Sequence, residues 1–407
     1  MNLLSKNSKL VIFTLFILLF VGCNNNHSIL PDKKAPVNKT PTCDKEGDQR
    51  SYQHGIDFIP IGNEQYALVW SSSGSPIDVS KSTVWEHDVY YSLIDPAKPV
   101  IKPINLISRE EAQEPASTAI SKDGHIMITM EDGWDPTIVL EQRYGVYNSD
   151  FTPTSKAYPQ VVPVAGGHSG HVAAIDNRFV IFYSEEWVSG GGVDNLGSGD
   201  DVYAAIYDSN GNFLFQKNIA VGTTTRDWWP WVEGSDNYAC MIWQRFVNNE
   251  IYSDLMISIL NPLTGEFTVT EKKIETNMEY YTYSLAAIPE LDQFLIMGVH
   301  KDGTGFGILL DKNGNELSRN DNLPPIVRES QPALRTINGN LFIAQAKADG
   351  GIMILKITTN IELEKTIDDA YIWGYGGTDG IWMNDKQVYM VSLSNCGLVQ
   401  KKFSLNE

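Results

Sequence analysis

Beyond residue 50 the apolar positions come in short runs and never at helical spacing. Runs such as Asp88-Val89-Tyr90-Tyr91-Ser92-Leu93-Ile94-Asp95 and Asp201-Val202-Tyr203-Ala204-Ala205-Ile206-Tyr207-Asp208 are bounded by Gly, Asn, Asp and Pro. Short β-branched and aromatic runs between turn residues predict strands. Related units return at Tyr144–Asn148, Ser253–Asn261, Gly307–Asp311 and Gly351–Ile357, and Gly211, Gly265 and Gly314 mark hairpins into an outer strand. Ahead of each unit lies another strand pair. The first members begin near His54, Ala116, His171, Trp229, Ser284, Gln331 and Thr378, on average about 54 residues apart. The pattern predicts an all-β fold, a seven-bladed β-propeller of four-stranded antiparallel blades.

A lone blade leaves edges and faces open, and a ring of blades covers them. The last unit has strands at Gly380–Met383, Val388–Ser394 and Leu398–Leu405 and lacks a fourth. The stretch from Cys43 to Tyr52 is available to supply it. Cys43 and Cys396 are then expected to pair in an oxidising compartment; the alternative is two separate thiols near the chain ends. Cys240 lies in the apolar run Tyr238–Trp243, which predicts a buried free thiol.

The N-terminus reads as processing. Lys6 and Lys9 precede an apolar run, Leu10–Gly22, shorter than the roughly 20 residues that span a bilayer. It ends Leu19-Phe20-Val21-Gly22-Cys23, which resembles a bacterial lipobox with Phe20 in the place usually held by Leu. The resemblance implies a signal peptide over 1–22 and lipid on Cys23, so that the membrane is a partner through that lipid. Residues 23–50, rich in Asn, Pro, Lys and Thr, would be a tether with a reach of about 30 Å. Residues 51–407 would be the propeller. Asn24, where an Asp retains many lipoproteins in the inner membrane, points to the outer membrane of the cell envelope.

The formal charge is −19, and removing Lys6 and Lys9 makes the mature chain more negative. Such a surface repels nucleic acid and anionic head groups, which excludes nucleic acid as a partner. It suits cations, neutral glycans or a basic protein, or serves solubility alone.

In a propeller, the connections entering each first strand share a face with the loops between second and third strands. That face gathers Trp85, His87, Trp134, His168, Trp187, Trp229 and Gln331 as candidate ligand-binding groups. Tryptophan faces stack on sugar rings, and polar tips bond their hydroxyls. Candidate catalytic groups on the same face are Glu114, His171, Arg226, Asp227, Tyr283 and Glu329. His168-Ser169-Gly170-His171 offers two imidazoles but fixes no third ligand, so no metal site is expected there. The acidic stretch Asp194–Asp201 could take calcium, though without EF-hand spacing. No other cofactor is expected. Gly190-Gly191-Gly192 lacks the strand-to-helix context of a phosphate loop, and Ser169 lies outside a nucleophile elbow.

These features predict an envelope-displayed binding or interaction module, for glycans or an envelope protein. The alternative is a polysaccharide-active enzyme. Paired carboxylates would serve hydrolysis; His171 and Tyr283, with Arg226 neutralising a uronate, would serve β-elimination. In architecture and residue types the latter is faintly similar to seven-bladed polysaccharide lyases. No contiguous motif carries that similarity, so it transfers no catalytic residue. A third expectation, an envelope assembly factor, lacks the repeat signatures of such proteins.

Overall fold

The computed structural model describes residues 53–405 except 63–64, 74–86, 96–99, 110–112, 133–140, 186–200, 223–224, 247–252, 369–378 and 395–396. Every regular element of more than one turn is a strand. The first sheet holds β1 (Gln53–Gly62), β2 (Gln65–Ser73), β3 (His87–Ile94) and β4 (Ile104–Ile107). The second holds β5 (Gln113–Ile120), β6 (Ile126–Asp132), β7 (Glu141–Tyr147) and β8 (Gln160–Val161). The third holds β9 (His168–Ile175), β10 (Arg178–Ser184), β11 (Val202–Asp208) and β12 (Phe213–Ala220). All are antiparallel meanders, and their first two strands are joined by two- to five-residue turns.

The fourth sheet is wider. It orders β13 (Arg226–Gly234), β14 (Ala239–Phe246), β15 (Ser253–Asn261), β16 (Glu266–Ile288), β17 (Gln293–His300), β18 (Gly305–Asp311) and β19 (Glu316–Leu323). One strand makes it wide. The first part of β16, up to Met278, pairs with β15, and the part from Met278 onward pairs with β17. Two further sheets follow: β20 (Ala333–Ile337), β21 (Asn340–Ala346), β22 (Ile352–Ile357) and β23 (Ile361–Ile367), then β24 (Asp379–Met383), β25 (Gln387–Ser394) and β26 (Gly397–Ser404).

First strands pack on one another in succession: β1 on β5, β5 on β9, β9 on β13, β13 on β16, β16 on β20 and β20 on β24. β24 then packs on β1, so the succession returns to its beginning. The arrangement is β-propeller-like. Its core is a series of apolar layers between neighbouring sheets. In the closing layer, Ile56, Leu68, Trp70 and Tyr90 of the first sheet meet Val391 of the last. Sequence follows position. Second and third strands are covered on both faces, so Ala67-Leu68-Val69-Trp70 and Ala239–Trp243 are apolar throughout and fully buried. Outer strands such as β12, β19 and β23 carry Lys, Glu and Asn outward.

Cys240 is a buried free thiol in β14, and burial pushes its pKa well up. The segment 43–52, Cys43 and Cys396, with the disulfide and closing strand expected of them, lie outside the described residues, as do Cys23 and the signal and tether segments.

Candidate functional site

The starts of the first strands share a backbone irregularity. Gly55, Ser169, Trp229, Tyr281 and Glu329 all take left-handed φ values, between 52° and 59°, at corresponding places. The ladder shifts register beside them, between His54 and Asp57, Trp228 and Trp231, and Met278 and Tyr283. Such a bulge breaks the alternation that sends successive side chains to opposite faces. Its effect is clearest at Trp228 and Trp229. These are sequence neighbours, yet their rings stack at 4.1 Å and 15°.

That stack is the middle of a longer column. The Arg226 guanidinium lies 3.9 Å from the Trp228 ring. Beyond Trp229 comes Tyr281, stacked at 4.0 Å and 15°. The Arg328 guanidinium lies 4.4 Å from the Tyr281 ring and closes the column. Tyr280 sets its edge on Trp229 at 4.0 Å and remains 36% exposed. Both arginines are half-buried as residues, with Arg226 Nη2 and Arg328 Nε themselves buried, while the three stacked rings are buried. Cations over aromatic faces gain about 0.5–2 kcal/mol each, more as water is excluded. The column therefore orients two positive charges at one end of the sheets.

Carboxylates share this end. Glu131 accepts from the Ser169 N–H at 2.5 Å and its hydroxyl at 3.1 Å. Glu114 sits opposite Glu131 in the β5–β6 ladder and is half-buried. Glu329 is half-buried beside Arg328. Burial pushes the Tyr281 hydroxyl pKa well up; Glu329 and Glu131 add to the rise and Arg328 opposes it.

The structure sorts the other sequence candidates. His168 is buried behind the column. Trp228 Nε1–H donates to its Nδ1 at 3.2 Å, and its Nε2 lies 3.3 Å from the Glu185 carbonyl oxygen. Burial pushes its pKa well down, and Arg226 adds to this. His171 stacks on Trp231 at 5.1 Å, and its Nδ1 lies 2.7 Å from the Pro230 carbonyl oxygen. The Tyr283 hydroxyl donates to the Trp229 carbonyl, and the residue is 1% exposed. Asp227 turns away from the rim. It accepts from Trp243 Nε1 and Arg245 Nε, each at 2.6 Å, and from the Thr225 hydroxyl at 2.9 Å. Burial raises its pKa, and Arg245 opposes the rise. Gln331 is half-buried just before β20.

Thus Arg226, Trp229 and Glu329 belong to one constellation, while Asp227, His171 and Tyr283 support the sheets beneath it. Trp85, Trp134, Trp187 and the calcium candidate from Asp194 onward lie outside the described residues, and so does the side chain of His87. Asp201, at the end of that acidic stretch, accepts from the Gly222 N–H at 3.0 Å. Among the described residues, no three His, Cys, Asp or Glu side chains are placed to hold a metal ion.

Arg328 and Tyr280 were missed by sequence reasoning. A signal was available: Trp228-Trp229, Tyr280-Tyr281 and Arg328-Glu329 occupy equivalent positions of successive units.

No family model matches the chain, and no curated protein matches it. Among solved structures, the polysaccharide lyase Uly1 superposes with a TM-score of 0.53 at 11% identity, over 93% of this chain and 94% of that one. An ulvan lyase bound to -[GlcA(1-4)Rha3S]- gives 0.49 at 11% identity, over 88% and 98%. Trypanosoma rangeli sialidase with the inhibitor DANA gives 0.45 at 10% identity, over 77% and 57%. The chain thus spans little more than half the length of that sialidase. The likeness to Uly1 is one of fold.

Proposed function

We propose that the rim built on Arg226, Trp228, Trp229, Tyr281 and Arg328 binds an acidic glycan. One observation carries this reading: in a chain of formal charge −19, two guanidiniums are held at one end of the sheets by a column of three aromatic rings. Guanidiniums bind carboxylate and sulfate oxygens in paired hydrogen bonds, and the exposed Tyr280 offers a ring for stacking. The overall negative charge would repel a polyanion over most of the surface and so favour attachment where cationic side chains are gathered.

The reading includes a setting. Residues 1–22 would be removed, Cys23 lipidated, and 23–50 would tether the domain to the envelope, in the outer membrane. Dividing the wide fourth sheet at Met278 gives seven blades around one axis, with the rim at the mouth of the channel.

Binding is favoured over elimination by what Tyr283 and His171 do. An elimination needs groups able to take and give a proton at the sugar ring. The Tyr283 hydroxyl donates to the Trp229 carbonyl, and the His171 Nδ1 faces that of Pro230. The fold is shared with a polysaccharide lyase, and a fold alone does not assign a reaction.

The test is a screen of the purified protein against uronate-containing, sulfated and neutral polysaccharides, with product analysis in each well. Retention of acidic glycans without new chain ends is expected. New unsaturated ends would replace the binding reading with a lyase, and retention of none would remove both.

A further inference from the structure

At the opposite end of the sheets, where the first and last sheets meet, lies a cleft of about 470 Å³. We infer that this cleft is a second saccharide site, sized for one or two sugar units. Three parts of the chain build it: the β1–β2 hairpin, β20, and the β24–β25 turn. Because strands of one sheet run the length of the domain, these turns cannot share a ligand unit with the rim at the strand starts.

The wall is of two kinds. Tyr66 and Trp382 meet edge to face at 4.3 Å, and Tyr389 backs Trp382 at 4.4 Å. Around this aromatic floor stand Asn384, Lys386 and the ion pair of Arg335 with Asp385, at 2.9 Å. An apolar floor with a polar border is what a sugar ring requires, since it presents C–H groups on its faces and hydroxyls on its edge. The volume lies in the range of small-ligand sites, about 300–1,000 Å³.

Trp382 is 6% exposed and forms the base of the floor, while Tyr66 is half-buried and presents the ring that a sugar can reach. Arg335 and Asp385 neutralise each other, and the exposed Lys386 leaves the border positive, so an acidic unit is accepted as well as a neutral one.

A glycan as the ligand class rests on the function proposed above; the cleft itself does not. Two sites at opposite ends would let one protein hold two chains, or two stretches of one, and would raise retention on a polymer above that of either site.

The test uses the full-length protein with its tryptophans labelled with nitrogen-15. It is titrated with hexasaccharides from polygalacturonate, alginate and cellulose, and the Trp382 indole resonance is assigned through Trp382→Phe. A saturable shift of that resonance is expected, retained in an Arg226→Ala/Arg328→Ala variant and lost in Tyr66→Ala and in Lys386→Glu. Two variants are used because Tyr66 is half-buried and its loss can unsettle the hairpin, whereas Lys386 is exposed. If the Trp228 and Trp229 resonances move and Trp382 does not, the second site is overturned and the rim reading stands. If only Trp382 moves, the rim reading fails and the second site stands. Stillness of all three overturns both.

Discussion

Trp228 donates its indole N–H to Nδ1 of His168 at 3.2 Å. An indole nitrogen can only donate, so that ring nitrogen must accept, and the His168 proton sits on Nε2. The imidazole is therefore neutral, in keeping with burial and with Arg226, which hold its pKa well below the usual value. The rim depends on this, because a second proton would face the indole N–H and tilt Trp228 out of the column.

The neutral His168 gives stability a pH dependence. In the unfolded chain a histidine ionises near pH 6.5. Its contribution is thus full above that value and is lost as pH falls from about 6.5 toward the depressed native value, by up to ~1.4 kcal/mol per pH unit. His168→Gln keeps an acceptor and removes the titration. Urea unfolding of both proteins at pH 8 and pH 5 is expected to show a stability gap that narrows at the lower pH. A constant gap would mean that the ring ionises in the fold.

Asp57 predicts the opposite slope. Its carboxyl accepts from the Thr118 N–H at 2.5 Å and the Thr118 hydroxyl at 3.1 Å, and burial raises its pKa to about 7. Burial also raises Glu233 to about 8, and Asp57 adds to the rise. A raised carboxyl favours the fold below the unfolded value near 4, and that advantage is lost as pH climbs to about 7. Asp57→Asn should therefore be the more stable protein at pH 8, by on the order of 2–4 kcal/mol, with the difference shrinking toward pH 4. Thermal denaturation across that range reads it directly.

Asp227 holds β13 to β14 through Trp243 and Arg245, and Arg245 continues to Glu271 at 2.7 Å. Removing Asp227 leaves Arg245 with Glu271 alone and takes an acceptor from Trp243, a cost toward the lower end of the about 3–5 kcal/mol that breaking a buried pair carries. Asp227→Ala is expected to lose that much in chemical denaturation. Asp227→Asn, which can still accept from Trp243, should lose less. A glycan-binding defect in Asp227→Ala without a stability loss would contradict its place beneath the rim.

Gly55 answers a close approach. It holds φ at +59°, and a Cβ there would lie 2.4 Å from the Ala116 backbone nitrogen, where β1 meets β5. Gly55→Ala joins backbone strain of about 1–2 kcal/mol to a backbone clash that no side-chain rotation relieves. The expected outcome is a fall in the unfolding midpoint larger than that of any surface Gly→Ala change, such as Gly339→Ala, where a Cβ meets nothing within 4 Å.

Much of the fold was legible because strand runs and turns are local. The unit beginning at Asp201 shows its strand, its Asp208–Asn212 turn and its outer strand within 20 residues. The union of two units through β16 was not legible, since nothing in the residues around Met278 marks a strand that changes partners there. Of the site, Arg226, Trp229 and Glu329 could be placed from strand starts alone. The inward turn of Asp227 depends on which face the bulge at Trp229 gives to each neighbour, and that is a matter of one backbone angle. Arg328 escaped because its partner Tyr281 is 47 residues away, and only the packing of β16 against β20 brings the two together.

The central claim is that Arg226 and Arg328 form one acidic-glycan site. Calorimetric titration of an acidic oligosaccharide into the wild-type protein, Arg226→Ala, Arg328→Ala and the double variant tests it most directly. Each single change should weaken binding at least about tenfold, or roughly 1.4 kcal/mol, with folding intact. The double variant should be non-additive, as expected for charges sharing one ligand. Undiminished affinity in the double variant would contradict the account.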